Sequence, residues 1–277
     1  MNRNDVKKFQ QAQLELLDYV HNICVSLGLN YYLMFGTLLG AIRHKGFIPW
    51  DVDIDIAMPR NDYDTLSEYL RHNIDDRLFF DDYSTEKNHI APHCILRQKN
   101  TKIVYNEDRR FQYDLRNEIY IDIFPIDVAP NNKRKINKMR KKIAFYRRLV
   151  SLKLAPQYGK ITSKNKATIK KIVSFLLKPI TFYRINSAID RSMKEYNSCE
   201  SDFVGIMTAP EVMEKLIVRK EVFGKPRKAE FEGREFYVPE KAEDFLTFRF
   251  GNYNELPPET ERWHYVDTII DHIEYDD

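Results

Sequence analysis

The sequence predicts an α/β fold, a single core of strands and helices interrupted by a basic helical region. Three observations carry that expectation. Apolar residues between Phe9 and Leu27 recur mostly at three- and four-residue steps, the period of an amphipathic helix. The segments Val52–Met58 and Ile119–Phe124 instead alternate strictly, as half-buried strands do. From Val128 to Ile189 the chain carries 17 Lys and Arg and no Asp or Glu, while helical spacing persists.

Taken in order, the first helix holds Phe9, Gln13, Leu16, Leu17, Val20, Ile23, Cys24 and Leu27 on one stripe and ends near Gly28. Tyr31–Phe35 reads as a short buried strand, and Leu38–Arg43 as a helix after Gly36 and Thr37. Gly46 and Pro49 break the chain before the strand 52–58, and Pro59 opens a helix running to about Arg71. Phe79–Phe80, Cys94–Arg97 and Ile103–Tyr105 are expected as shorter strands. Three helices are expected in the basic region: one through Ile136, Met139, Ile143, Tyr146 and Val150, one over Ala167–Leu177, and one over Phe182–Tyr196. Glu232-Gly233 marks a hairpin turn, and Pro239 begins a helix that Gly251 closes. The expected organisation is a catalytic core over 1–127, a basic helical insertion over 128–200, and a segment over 201–277 that completes the core and the active site.

Composition narrows the class. With 43% hydrophobic and 31% charged residues, the 277-residue chain reads as an ordinary globular protein. The polar stretch from Met1 to Leu17 predicts no signal peptide, and the longest apolar run, Ile172–Leu177, is too short to span a bilayer. Cys24, Cys94 and Cys199 lie far apart, which argues against a disulfide framework or zinc knuckle and for a reducing, cytoplasmic setting.

The chemistry concentrates on carboxylates. Asp53 and Asp55 project from one face of their strand, and Asp122 lies between Ile121 and Ile123 on a second strand of the same character. A DxD on a strand is more often a solvated face than a metal site. The context here differs: Gly36 and Thr37 open a helix just before the acidic strand, and helix N-termini bind phosphate. If the two strands are neighbours, three carboxylates meet beside a phosphate cradle, a layout suited to Mg²⁺ or Mn²⁺ and phosphoryl chemistry. Arg43, His44 and Lys45, with Arg97 and Lys99, are candidate phosphate-binding cations. His89, His93 and Cys94 are read as ordinary core or loop residues.

The stretch FGTLLGAIRHKGFIPWDVDIDIAMPR from Phe35 to Arg60 closely resembles the signature of the LicD family of phosphocholine transferases. Leu96–Thr101 (LRQKNT), Ile119–Asp127 (IYIDIFPID) and Phe245–Pro258, with its FGNYNELPP, resemble further family segments. The resemblance runs from about Phe9 to the C-terminus, excepting the basic middle. It implies a nucleotidyltransferase-like mixed-sheet core with flanking helices, a CDP-linked donor such as CDP-choline, and transfer of phosphocholine or a related phosphoalcohol to a glycan hydroxyl. The glycan would be a lipopolysaccharide, a teichoic acid or a lipid-linked precursor. The related fukutin group, which transfers ribitol phosphate, means that the family does not fix the alcohol. One departure stands out: Val52 occupies the middle of what is usually a run of three acids.

On that reading Asp53 and Asp55 hold the metal, and Asp122 completes the site and serves as base toward the acceptor. Trp50, Tyr253, Trp263 and Tyr265 are candidate walls of a cage for the quaternary ammonium of choline. The basic segment 131–184 is expected to meet an anionic membrane surface, on the inner face of a bacterial membrane, rather than nucleic acid. Helices that simply pack on the core are the alternative. The competing activities are nucleotidyl transfer with pyrophosphate release and, outside catalysis, a glycan- or membrane-binding scaffold.

Overall fold

The computed structural model describes residues 3–105, 116–158, 175–263, 266 and 270–275. Helix α1 (Arg3–Leu27) buries Val6, Phe9, Leu16, Leu17, Val20 and Cys24, and stops at Gly28, whose φ of 67° a side chain would resist. Strand β1 (Tyr32–Leu33) is shorter than its apolar run. The chain swings into helix α2 (Phe35–His44) at Phe35 itself, which takes a φ of 50°. Strand β2 (Asp55–Pro59) likewise begins later than the alternation from Val52 predicts. The physical reason lies in α1. The Gln10 and Gln13 amides donate to the carbonyls of Asp51 (2.7 Å) and Val52 (2.9 Å), so side chains take these carbonyls before the ladder starts.

Helix α3 (Arg60–His72) leads to β3 (Leu78–Asp81), β4 (Cys94–Gln98) and β5 (Thr101–Tyr105). Strand β6 (Tyr120–Ala129) is longer than the predicted 119–124 and runs through Pro125. On one edge it pairs with β4 as far as Ile123 and with β7 only from Asp127, so Pro125 falls where no donor is needed on that edge. Helices α4 (Lys133–Tyr158) and α5 (Phe182–Met193) follow. Strands β7 (Phe203–Gly205) and β8 (Ile217–Arg219) extend the sheet, and β9 (Arg227–Phe231) and β10 (Arg234–Val238) form the expected hairpin. Its turn residues Glu232 and Gly233 both have positive φ, 53° and 70°. Helix α6 (Ala242–Phe250) is closed by Gly251, and β11 (Ile270–Tyr275) pairs with β5. Most of the helix expected over 167–177 lies outside the described residues.

The mixed sheet runs β1–β2–β6–β4–β3, with β7 and β8 joined through the far half of β6. Only β2 and β6 among these neighbours are parallel. Helix α3 packs on the face carrying Ile123: the Tyr63 hydroxyl (2.8 Å) and Ser67 hydroxyl (3.4 Å) meet the Cys94 sulfur, and Cys94 sits opposite Ile123. Burying an aliphatic side chain of this kind stabilises the fold by about 1.5–3 kcal/mol.

The basic helices pack against one another and against the sheet's extension. Met139, Ile143 and Val150 of α4 and Ile185, Ile189 and Met193 of α5 close over Met207, Met213 and Ile217 as a second apolar cluster. The junction with the rest of the fold is ionic. Arg60 donates to both Asp127 oxygens and, at 3.0 Å, to Asp190 of α5; Arg60 and Asp127 are buried. Among the described residues no helix is long and apolar enough to cross a membrane.

Candidate active site

Asp55 and Asp122 face each other across the β2–β6 pair. Neighbouring strands lie about 4.8 Å apart, and opposed residues project from the same face. Asp53 precedes Asp55 by two residues, so the predicted convergence of acidic positions from two strands is present. Thr37 fastens the segment: its hydroxyl accepts the Asp55 N–H (2.9 Å) and donates to the Asp53 carbonyl (3.4 Å).

The acids depress one another's ionisation. Burial, then the charges of Asp51 and Asp122, push the Asp53 carboxyl up to about 8. The Asp55 carboxyl is held well above the usual range by burial and then by Asp122, Asp53 and Asp51. Burial also lifts Asp51, to about 6, against the pull of hydrogen bonds from the Val52 and Asp53 amides. Like charges crowded into a half-buried site call for a cation, and an all-oxygen donor set suits a hard divalent ion such as Mg²⁺. Among the described residues no three His, Cys, Asp or Glu side chains already stand as a closed ligand cluster. The fit is therefore one of donor chemistry and charge.

The N-terminus of α2 abuts this cluster. Met34, its N-cap, offers no side-chain bond, which leaves the first helical N–H groups uncapped by it. A Cβ on Gly36 would lie 2.3 Å from an Asp51 carboxylate oxygen, so glycine is needed here for the close approach of an acid. Asp51 thus sits against a helix end that favours anions. Val52, the residue that replaces the expected acid, is buried with the core.

The candidate cations divide differently from the expectation. Arg43, His44 and Lys45 sit at the C-terminal end of α2, roughly 12 Å from its start by the rise of a helix. Arg43 donates to the Tyr253 carbonyl (2.6 Å) and so ties α2 to the FGNYNELPP loop. Burial lowers the pKa of both Arg43 and His44. Arg97 is fully buried and bonded to Asp81 (2.9 Å), and the Lys99 ammonium donates to the Asp76 carbonyl (2.8 Å). Neither Arg97 nor Lys99 is brought to the acidic cluster. Arg97 falls toward the far end of β4 and Lys99 just past it, because Ile95, not Arg97, pairs with Asp122.

Of the aromatic candidates, Trp50 and Trp263 meet edge to face at 6.4 Å, and His44 also meets Trp50 at 6.4 Å. Protein cations already occupy both tryptophans: Arg262 lies 5.4 Å from the Trp50 ring and Arg3 3.3 Å from that of Trp263. Tyr253 is half-buried against the core, and Tyr265 lies outside the described residues.

Three residues were not foreseen as part of the site. Gln10 and Gln13 shape the approach to β2, and Gln13 also donates to the Tyr120 carbonyl on β6 (2.9 Å). Their signal was a pair of amides on a helix face that is otherwise apolar. His93, read as an ordinary loop residue, places its Nε2 3.0 Å from the Asp122 carboxylate. No local pattern marks it, because the contact joins residues 29 positions apart.

Comparison with known proteins adds to this geometry. Residues 28–154 match the family model described as LicD/FKTN/FKRP, nucleotidyltransferase domain. The chain is 28% identical over 267 residues to the lipopolysaccharide cholinephosphotransferase LicD of Haemophilus influenzae, covering 95% of this chain and 96% of that protein. It is 29% identical over 120 residues to the ribitol 5-phosphate transferase FKRP of human and of mouse, covering 42% of this chain but 20% of theirs.

Proposed function

Since residues 28–154 carry a LicD-family nucleotidyltransferase domain, we propose that this protein transfers a phosphoalcohol, phosphocholine first, from a CDP-linked donor to a hydroxyl of a cell-surface glycan. The observation that carries the reading is the pairing of Asp55 with Asp122, with Asp53 two residues away, beside the N-terminus of α2.

In this reading Asp53, Asp55 and Asp122 hold Mg²⁺ or Mn²⁺. The ion, when bound, neutralises charge on the donor pyrophosphate. The acids' mutual repulsion makes the site a poor place for three negative charges and a good one for a cation. The first N–H groups of α2 receive a phosphate oxygen, while Thr37 keeps the Asp53–Asp55 backbone in register with the helix. Asp122 faces the same side of the sheet and takes the proton of the acceptor hydroxyl as that oxygen attacks the phosphorus bearing the alcohol. CMP leaves. Arg43 acts indirectly, by holding the 251–258 loop against α2. Trp50 and Trp263 would receive a choline head only by giving up Arg262 and Arg3, so they rank below the acids as determinants.

The helical insertion supplies a surface for a lipid-borne acceptor. Arg134, Lys138, Lys141, Phe145 and Arg148 recur at helical spacing on the exposed side of α4, and Phe145 is 58% exposed. A cationic stripe with an aromatic residue in it suits an anionic bilayer. Flotation with anionic vesicles should enrich the protein at low salt, and equal recovery with neutral vesicles would dispose of that surface.

A donor screen with CDP-choline, CDP-ethanolamine, CDP-ribitol and CDP-glycerol, followed by ³¹P NMR, tests the activity. Release of CMP with a new phosphodiester is expected. Release of pyrophosphate from a nucleoside triphosphate would favour nucleotidyl transfer instead.

A further inference from the structure

We propose that His93 is a positioning residue for Asp122, and that the helical insertion holds it in place. The inference rests on the reading that Asp122 belongs to the transfer site.

His93 lies just before β4, two residues from Ile95, the strand partner of Asp122. Its ring packs on Phe124 with centroids 4.1 Å apart, and its Nε2 meets the Asp122 carboxylate at 3.0 Å. A carboxylate can only accept, so Nε2 carries the hydrogen. The other ring nitrogen, Nδ1, is buried and has no hydrogen-bond partner among the described residues. Leaving a buried polar atom unmet costs about 1–3 kcal/mol, so the ring orientation is set by the bond to Asp122.

The backbone behind this ring is fixed with unusual thoroughness. His89 Nε2 donates to the His93 carbonyl (2.9 Å), and His89 Nδ1 meets Asp81 (2.6 Å). The other Asp81 oxygen accepts from Arg97 Nε (2.9 Å), and His89, Asp81 and Arg97 are all buried. This is the role the fold gives Arg97 in place of donor binding. Two further anchors come from the insertion: Asn186 of α5 donates to the His89 carbonyl (2.8 Å) and Arg147 of α4 to the Ile90 carbonyl (3.1 Å). The loop that aims His93 is therefore gripped on one side by the sheet and on the other by both basic helices. Residues that orient a ligating carboxylate in this way typically change affinity or turnover on the order of 10–100-fold when lost.

The experiment compares His93→Phe, His93→Gln and Asn186→Leu with the wild-type chain, reading kcat and donor KM with CDP-choline. Phenylalanine keeps the stacking on Phe124 and removes the donor; glutamine restores a donor. His93→Phe should lower kcat about 10-fold or more with donor KM changed less than about twofold. His93→Gln should recover most of that loss, and Asn186→Leu should reproduce it in part. Full kcat in His93→Phe, or a glutamine variant no better than phenylalanine, overturns the proposal. Should the wild-type protein not turn over any CDP-alcohol, the activity fails and the placement is read separately by ¹⁵N–¹H NMR of histidine-labelled protein. A slowly exchanging His93 Nε2–H that disappears in Asp122→Ala supports the proposal. An Nε2 that carries no proton, or a signal indifferent to Asp122→Ala, refutes it.

Discussion

Replacing Asp53 by Asn should make the metal-free protein more stable while abolishing its activity. Burial, then the charges of Asp51 and Asp122, push the Asp53 carboxyl up to about 8 in the fold. Its unfolded value is about 3.9. A group whose folded pKa is raised contributes stability that is complete below the unfolded pKa and is lost as pH rises through the folded one. Between pH 5 and 8 a single such proton changes stability by at most about 1.4 kcal/mol per pH unit. The charge is shared with Asp51 and Asp55 in a half-buried site, so only part of that limit falls to Asp53 alone. Asparagine removes the charge at nearly constant shape. In EDTA at pH 7.5, Asp53→Asn should gain about 1–2 kcal/mol over wild type, or roughly 2–8 °C in Tm for a chain of this length. At pH 5 the gap should be smaller, and it should close only below about pH 3.9. Urea and thermal denaturation at both pH values read this directly. A variant less stable than wild type at pH 7.5 in EDTA, or a wild-type stability that does not fall from pH 5 to 8, would refute the electrostatic reasoning.

Further expectations follow from the same structure. Arg60→Leu leaves Asp127 buried without its two guanidinium bonds and should cost about 3–5 kcal/mol, read as a lower urea midpoint. Asp81 and Asp82 are displaced below the ordinary carboxylate range: burial raises each, but His89 and Arg97 outweigh it at Asp81, and Ser84 and Arg71 at Asp82. Their contribution is present above about pH 3.9 and disappears as pH falls through the lower folded values, so circular dichroism should show acid unfolding beginning in that window. Gly36→Ala sets a methyl 2.3 Å from the Asp51 carboxylate. It should lower turnover at least tenfold while changing stability by only about 1–3 kcal/mol. Unchanged kcat in that variant would remove the α2 N-terminus from the site.

Much of this architecture could be read from local pattern, because local pattern is what determines it. The alternation around Asp53 and Asp55, the period of α1, and the turn at Glu232-Gly233 each follow from a few neighbouring residues. The meeting of Asp55 and Asp122 could be stated only conditionally, since strand pairing joins segments 67 positions apart. The candidates that the fold sets apart from the acids have the same origin. Arg97 has the charge of a phosphate ligand, but it reaches Asp81 diagonally across the β3–β4 pair, and burial then commits it to that partner. Arg43 lies within the signature stretch, yet α2 carries it to the end away from the acids. Gln13 and His93 matter through carbonyls and a carboxylate supplied by other strands, and nothing adjacent in sequence announces them. The basic helices showed their charge in the sequence, but not that two of their side chains grip the loop beside Asp122.

The most direct test of the acidic centre is Mn²⁺ binding followed by electron paramagnetic resonance, in the presence of CDP-choline, for wild type, Asp55→Asn and Asp122→Asn. Wild type should retain protein-bound Mn²⁺ and turn over only when the ion is supplied. Each variant should lose both properties while remaining folded. Equal Mn²⁺ retention in all three proteins, or wild-type turnover that persists in EDTA, would contradict the assignment of these carboxylates as the catalytic metal site.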